Sequence, residues 1–282
     1  MSTPQHPMPQ QAAPAPHWQA GPGASYTSPI PVTRTHLGHA LTSEWTKIKS
    51  VRSTVWTLGV FLVLVFSSGL LVATQTRDSD FVDLPYTFTA FIGLMLGQIC
   101  LITLGVLVVS SEYGTGMIRT TFTASPQRHR VLAAKFLIYF GLAYVVSTGS
   151  VLLMGAVTAG MHSGPEAGDV PWVGTAFKGG LYVSLLGILS LAVGSMLRHS
   201  AGAITAMLGL VLLPAILPAF LLISESTRKV GEKMMDYNAP NSLAKIFGAD
   251  QGSSGNPQLV LLVVLTVAAV VGAFVLLDKR DV

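Results

Sequence analysis

The side chains able to pair charges gather in one stretch, Ser111 to Lys135, which reads SEYGTGMIRTTFTASPQRHRVLAAK. A single carboxylate, Glu112, accompanies Arg119, Arg128, Arg130 and Lys135. The chemistry such a set offers is charge-assisted hydrogen bonding to another surface, which is stronger than neutral pairing. Glu112 and Arg119 are seven residues apart, so one continuous helix would set both on nearly the same face. Tyr113, Met117, Thr121 and Phe122 recur at helical spacing, which predicts a short amphipathic helix near a membrane surface. Ser125-Pro126 then reads as an N-cap followed by proline at the first helical position, opening the next helix. A plain loop held on the cytoplasmic side by its positive charge accounts for the same residues without any partner.

Other chemistries find little support. The seven histidines are scattered and no His-Glu-x-x-His occurs, which argues against a zinc protease. An intramembrane serine protease needs a serine and a histidine on neighbouring spans, and the last apolar run has no histidine. No Gly-x-x-x-x-Gly-Lys-[Ser/Thr] is present to cradle a nucleotide phosphate. No enzyme activity, bound cofactor, metal site or nucleic-acid partner is therefore expected of the chain itself. The lone Cys100 lies in an apolar run and reads as a small buried residue.

The elements that must carry this stretch are membrane helices. Only 11% of the 282 residues are charged and 50% are hydrophobic, whereas a soluble domain carries roughly 25% charged residues. Six apolar runs, about 53–74, 86–110, 131–161, 176–197, 201–223 and 258–277, are each long enough to cross the ~30 Å hydrocarbon core. With the third taken from Phe136 and the fourth from Gly179, these runs contain no Asp, Glu, Lys or Arg. That argues against a proton-coupled carrier, while sodium coupling through backbone carbonyls stays open. Gln98 is the most polar core side chain, read as an interhelical hydrogen-bond partner or a pathway contact. Gly93 and Gly97 are spaced for close helix approach. Pro214 and Pro218 are expected to kink the fifth run.

Three further regions complete the chain. Residues 1–33, with eight of the 16 prolines and no acidic residue, read as a disordered cytoplasmic tail. Over 34–52, Leu37, Leu41, Trp45, Ile48 and Val51 fall along one helical face, with Glu44, Lys47, Lys49 and Arg52 on the others, as in a helix lying in the membrane interface. Residues 53–282 then form the six-span domain, in which 224–257 is a long outer loop with a short helix over Asn241–Gly248. With the N-terminus inside, 11 of the 17 Lys and Arg fall on the cytoplasmic side, so the positive-inside bias places both termini in the cytosol.

Taken together, the basic amphipathic helix, the six runs and the loop Ser-Glu-Tyr-Gly-Thr-Gly-Met-Ile-Arg-Thr-Thr with its Ser-Pro-x-Arg and Ala-Ala-Lys sequel resemble a bacterial type-2 ABC exporter permease over roughly residues 36–282. The resemblance implies an all-α membrane subunit of the bacterial cell membrane, with six transmembrane helices, an interfacial helix before them and a coupling helix between spans two and three. It implies a separate ABC ATPase subunit, which would bind ATP and Mg, and a homodimer or a second permease to complete the pathway. Glu112, Gly114, Thr115, Gly116, Ile118, Arg119 and Thr120 would form the coupling element, and Pro126, Arg128 and Lys135 would shape the return into the third span. Glycine at both 114 and 116 costs helix propensity, ~1 kcal/mol each relative to Ala, so the coupling helix is expected to be short. An apolar pathway fits an amphipathic drug, antibiotic, peptide or lipid. The alternative is a non-transporting polytopic anchor or sensor.

Overall fold

In a computed structural model of the chain, residues 36–78, 84–124, 127–164, 172–249 and 254–280 are described. The tail and the Ser125-Pro126 cap lie outside them. Every regular element among the described residues is helical. Six helices are long and apolar enough to cross a membrane: Arg52–Gln75, Tyr86–Gly114, Arg128–Met161, Trp172–Leu197, Ser200–Leu221 and Asn256–Lys279. The chain is an all-α, multi-pass membrane protein.

A first helix, α1 (Leu37–Ser50), precedes the spans and ends at Val51, whose extended backbone turns the chain into α2 (Arg52–Gln75). The second span opens with a 3₁₀ turn over Tyr86–Ala90 and continues as α3 (Phe91–Gly114). A short α4 (Met117–Ala124) links it to α5 (Arg128–Met161). Next come α6 (Trp172–Leu197) and α7 (Ser200–Ile216). In the tight turn between them Arg198 takes a left-handed backbone with φ of 55°, and His199 Nδ1 accepts the Gly202 amide at 3.0 Å, capping α7.

The fifth run breaks at Leu217, and Pro218 starts a separate turn, α8 (Pro218–Leu221). Proline has no amide hydrogen, so Pro218 leaves the Pro214 carbonyl without its usual helical donor. Asn238 Nδ2 approaches that oxygen at 3.5 Å. Pro214 itself stays inside α7. Two helices follow, α9 (Glu225–Tyr237) and α10 (Ala239–Ile246), before the last span, α11 (Asn256–Lys279). The expected helix at 241–248 is thus present slightly earlier. The charged α9 is an addition.

Packing centres on α6, which lies against α3, α5 and α11. The other spans turn large apolar side chains outward, among them Val63 on α2, Val145 on α5, Phe220 on α8 and Val264 on α11. An apolar surface of this kind is unfavourable in water and suits lipid. The Gly93/Gly97 expectation has a direct counterpart. A Cβ on Gly93 would collide with the Val65 backbone of α2, and one on Gly97 would sit 2.7 Å from the Phe61 ring. At the α10 end, Phe247 is fully buried, its ring lying where a Cβ on Gly179 would be. α1 and α4 lie at the opposite end, where α2 begins, α3 ends and α5 begins.

Candidate functional site

At the α1 end, three helices bring four ionisable side chains together. Glu44 and Lys47 are one turn apart on α1. Glu112 is in the last turn of α3, and Lys135 is two turns into α5. Lys135 Nζ lies 2.7 Å from Glu44 Oε2 and 2.6 Å from Glu112 Oε1. Lys47 Nζ lies 2.8 Å from Glu44 Oε1 and 3.0 Å from Glu112 Oε1. Side-chain exposure is 3% for Glu44, 3% for Lys135 and 9% for Glu112, against 30% for Lys47. Two cations and two anions balance. That matters because an unpaired charge at such burial is costly, whereas a complete pair roughly offsets its own desolvation. The net contribution of the complete cluster is therefore small, while loss of any one member would leave a buried charge unpaired.

The Lys47 ammonium shows both effects. Burial works to lower its pKa and is the largest single influence, but hydrogen bonds and attraction from Glu44 and Glu112 together hold it above the usual lysine value. Thr121 on α4 lies 3.5 Å from the same ammonium, so Lys47 joins α1 to both α3 and α4. Only one carboxylate oxygen is left over. Glu112 Oε2 is buried and accepts no hydrogen bond.

The turn after Glu112 decides what the rest of the basic stretch can do. α3 ends at Gly114. Thr115 donates its amide to the Ser111 carbonyl at 3.0 Å, and Gly116 takes a left-handed backbone with φ of 73°. Glycine adopts that geometry without the Cβ penalty. α4 consequently starts as a separate helix. Ile118 is its buried anchor, while Met117, Arg119 and Thr120 are exposed, as are Gly114, Thr115 and Gly116. Phe122 lies 5.4 Å from the Arg128 guanidinium, tying α4 to the start of α5. Glu112 and Arg119 therefore do not share a helix face. Glu112 points into the bundle, and Arg119 points away from it on another helix. The spacing argument assumed one continuous helix, and the Gly114–Gly116 turn breaks it.

No protein-family model matches this chain, and no curated protein matches it.

The remaining sequence-marked residues are distributed as follows. On α1, Ile48 is buried and Leu41 partly so, but Leu37 and Trp45 are exposed. Lys49 lies over the Trp45 ring at 5.8 Å. The inward face of α1 is therefore Leu41, Glu44, Lys47 and Ile48, rotated from the purely apolar stripe the sequence marks. Arg128 begins α5 and stays partly exposed. Gln98 is buried at 3% exposure, and its Oε1 accepts no hydrogen bond. Among the described residues no three His, Cys, Asp or Glu side chains group to hold a metal ion. The sequence reading missed Glu44 and Lys47 as partners of the central stretch. A signal was present, since Glu44 sits three after Leu41 and four before Ile48, on the face that packs.

Beside the cluster lies a cleft of about 330 Å³ in the angle between α1 and α2, closed by α3, with Met117 of α4 on its rim. Its lining includes Glu44, Lys47, Glu112 and Lys135 together with Leu104, Leu107 and Val108.

Proposed function

We propose that this chain is the membrane-spanning permease subunit of an ATP-driven exporter, with α4 as the element that a separate ATPase subunit engages from the cytosol. The observation that carries the reading is the mounting of α4. It is a short surface helix with Met117, Arg119 and Thr120 exposed, set by Ile118 at the bundle end where the Glu44–Lys135–Glu112 cluster joins α1, α3 and α5. A push on such a helix would pass to three elements at once, because separating any of them exposes a buried charge. Support also comes from the sequence. The sequence has no Gly-x-x-x-x-Gly-Lys-[Ser/Thr], and this end carries most of its Lys and Arg, which on the positive-inside rule supports a cytosolic position for it and for both termini in a bacterial cell.

In this reading ATP and Mg are bound by the partner, and a second copy or a different permease supplies the other half of the pathway. The apolar spans suit an amphipathic drug, peptide or lipid as cargo. The test is isolation of the tagged full chain from its native membrane in mild detergent. An ATP-hydrolysing polypeptide is expected to accompany it and to be lost with Arg119→Glu, which reverses the charge on the exposed face while leaving the buried cluster alone. Isolation of the chain without any ATPase, at full yield and with export activity intact, refutes the proposal.

A further inference from the structure

We propose that α9 lies in the membrane surface at the end of the molecule opposite α4 and binds anionic phospholipid there through Lys229 and Lys233. The inference does not depend on the exporter reading. It starts from how α9 is held. Its one buried residue is Gly231, where a Cβ would meet Leu221 of α8 at 3.0 Å. Thr227 Oγ1 donates to the Leu221 carbonyl at 2.7 Å. Near the other end, Asn241 Nδ2 donates to the Met235 carbonyl at 2.7 Å, and Gln258 Nε2 to that of Asp236 at 3.2 Å. The helix is thus seated by contacts to α8, α10 and α11. Val230, Met234 and Tyr237 follow one another at helical spacing beside that seat. Val230 and Tyr237 are exposed, so the row has no cover within the chain.

Two observations name what covers it. The first is continuity. Phe220 of α8 is exposed, and Ile223, in the link to α9, is 81% exposed. Both belong to the apolar outer surface that suits lipid, and α9 is packed directly on α8. An apolar row edged by basic residues on an otherwise polar helix is the pattern of a helix half-sunk among headgroups. The second is charge. Glu232 is taken by Arg228 at 3.0 Å, and Asp236 by Lys245 at 3.2 Å. Glu225 sits in the first turn, where the helix N-terminus favours an anion. Lys229 and Lys233, one turn apart along the edge of the row, are exposed and make no ion pair or hydrogen bond among the described residues. Two such ammonium groups at headgroup depth complement lipid phosphates, and anionic lipid strengthens the attraction. A second copy of the chain presenting the same face would instead set lysine against lysine.

The test reads the lipid at α9 itself, because basic residues elsewhere on the chain also attract anionic lipid. The full chain with Cys100→Ala and Val230→Cys carries a bimane fluorophore at that cysteine and is reconstituted in vesicles. Quenching is titrated with phosphatidylglycerol or phosphatidylcholine bearing a nitroxide high on the acyl chain. Both lipids are expected to quench, and phosphatidylglycerol to do so at a mole fraction lower by about fivefold for each lysine. With Lys229→Gln and Lys233→Gln added, the two lipids are expected to quench at the same mole fraction, the apolar row still being immersed. Equal quenching by both lipids before those substitutions, or a preference unchanged after them, overturns the lysine assignment. Absence of quenching by either lipid overturns the membrane placement. Iodide then separates the remaining occupants, since it reaches a label in water and not one covered by a second copy.

Discussion

Replacing Lys135 by Met tests whether the buried charges hold this end of the molecule together. Met keeps the apolar stem and nearly the same length, so little of the effect comes from a cavity. The change removes the contacts of 2.7 Å to Glu44 and 2.6 Å to Glu112. Two carboxylates exposed by only 3% and 9% are then left to share Lys47. Removing one partner of a buried pair costs about 3–5 kcal/mol, and the surviving Lys47 contacts place the expected loss near the lower value. Arg228–Glu232 on α9 provides a contrast, with its side chains 64% and 55% exposed. An exposed i,i+4 pair contributes only about 0.3–0.5 kcal/mol, so Glu232→Gln is expected to change stability little. Unfolding of the purified chain in mixed micelles, followed by loss of helical circular dichroism, measures both. Adding Glu44→Gln to Lys135→Met removes a charge of each sign, and the double variant is expected to be less destabilised than the two single losses added together. A Lys135→Met loss no greater than that of Glu232→Gln, or strict additivity in the double variant, refutes the reasoning.

Two other outcomes follow from the packing and the charge asymmetry. Gly93→Leu is expected to destabilise the fold by about 1–3 kcal/mol or more, because its Cβ meets the Val65 backbone rather than a movable side chain. The same unfolding assay checks it, and Gly141→Leu, a position with open space around its Cα, serves as the neutral control. For orientation, a single cysteine at Ser226 in a Cys100→Ala background is expected to react with an impermeant thiol reagent on intact cells, and one at Thr120 only after the cells are opened. The reverse pattern would place α4 outside and remove the ground for an ATPase partner.

Much of the fold was legible because its dominant force is written in the composition. A run without charges that is long enough to span lipid has few alternatives, and all six runs are helical, with ends moved by a few residues and the fifth broken at Leu217. The moved ends are where the site was hidden. Ending the second run at Ser110 and taking the charge-free part of the third from Phe136 left Glu112 and Lys135 in the polar stretch between spans, with no partner for either. Their helices continue past the apolar core, so both residues pack at a helix end, and the charges are tolerated because α1 brings the complement. On α1 the apolar residues marked a stripe that included Trp45, but the helix buries Glu44 and exposes Trp45. Periodicity reports which face is apolar, and it cannot report that a carboxylate has a lysine waiting on another helix. The coupling of Glu112 to Arg119 failed for a local reason: two glycines within three residues permit a left-handed turn, and helical phase is lost across it. The helix α9 was not legible for the opposite reason to the spans. It is rich in charge and only its Gly231 is buried, so hydrophobic run length gives no sign of it.

The central claim is that α4 is a docking element, and contact from its exposed face tests that claim most directly. A photoreactive amino acid placed at Thr120 in the full chain, in its native membrane, reports what lies against α4. The same group at Val145, which is 69% exposed on the outer side of α5, reports the lipid-facing background. The expected result is a single crosslinked polypeptide from Thr120 that binds ATP, absent from Val145. Lipid adducts alone from both positions would contradict the account and leave α4 as a connecting turn.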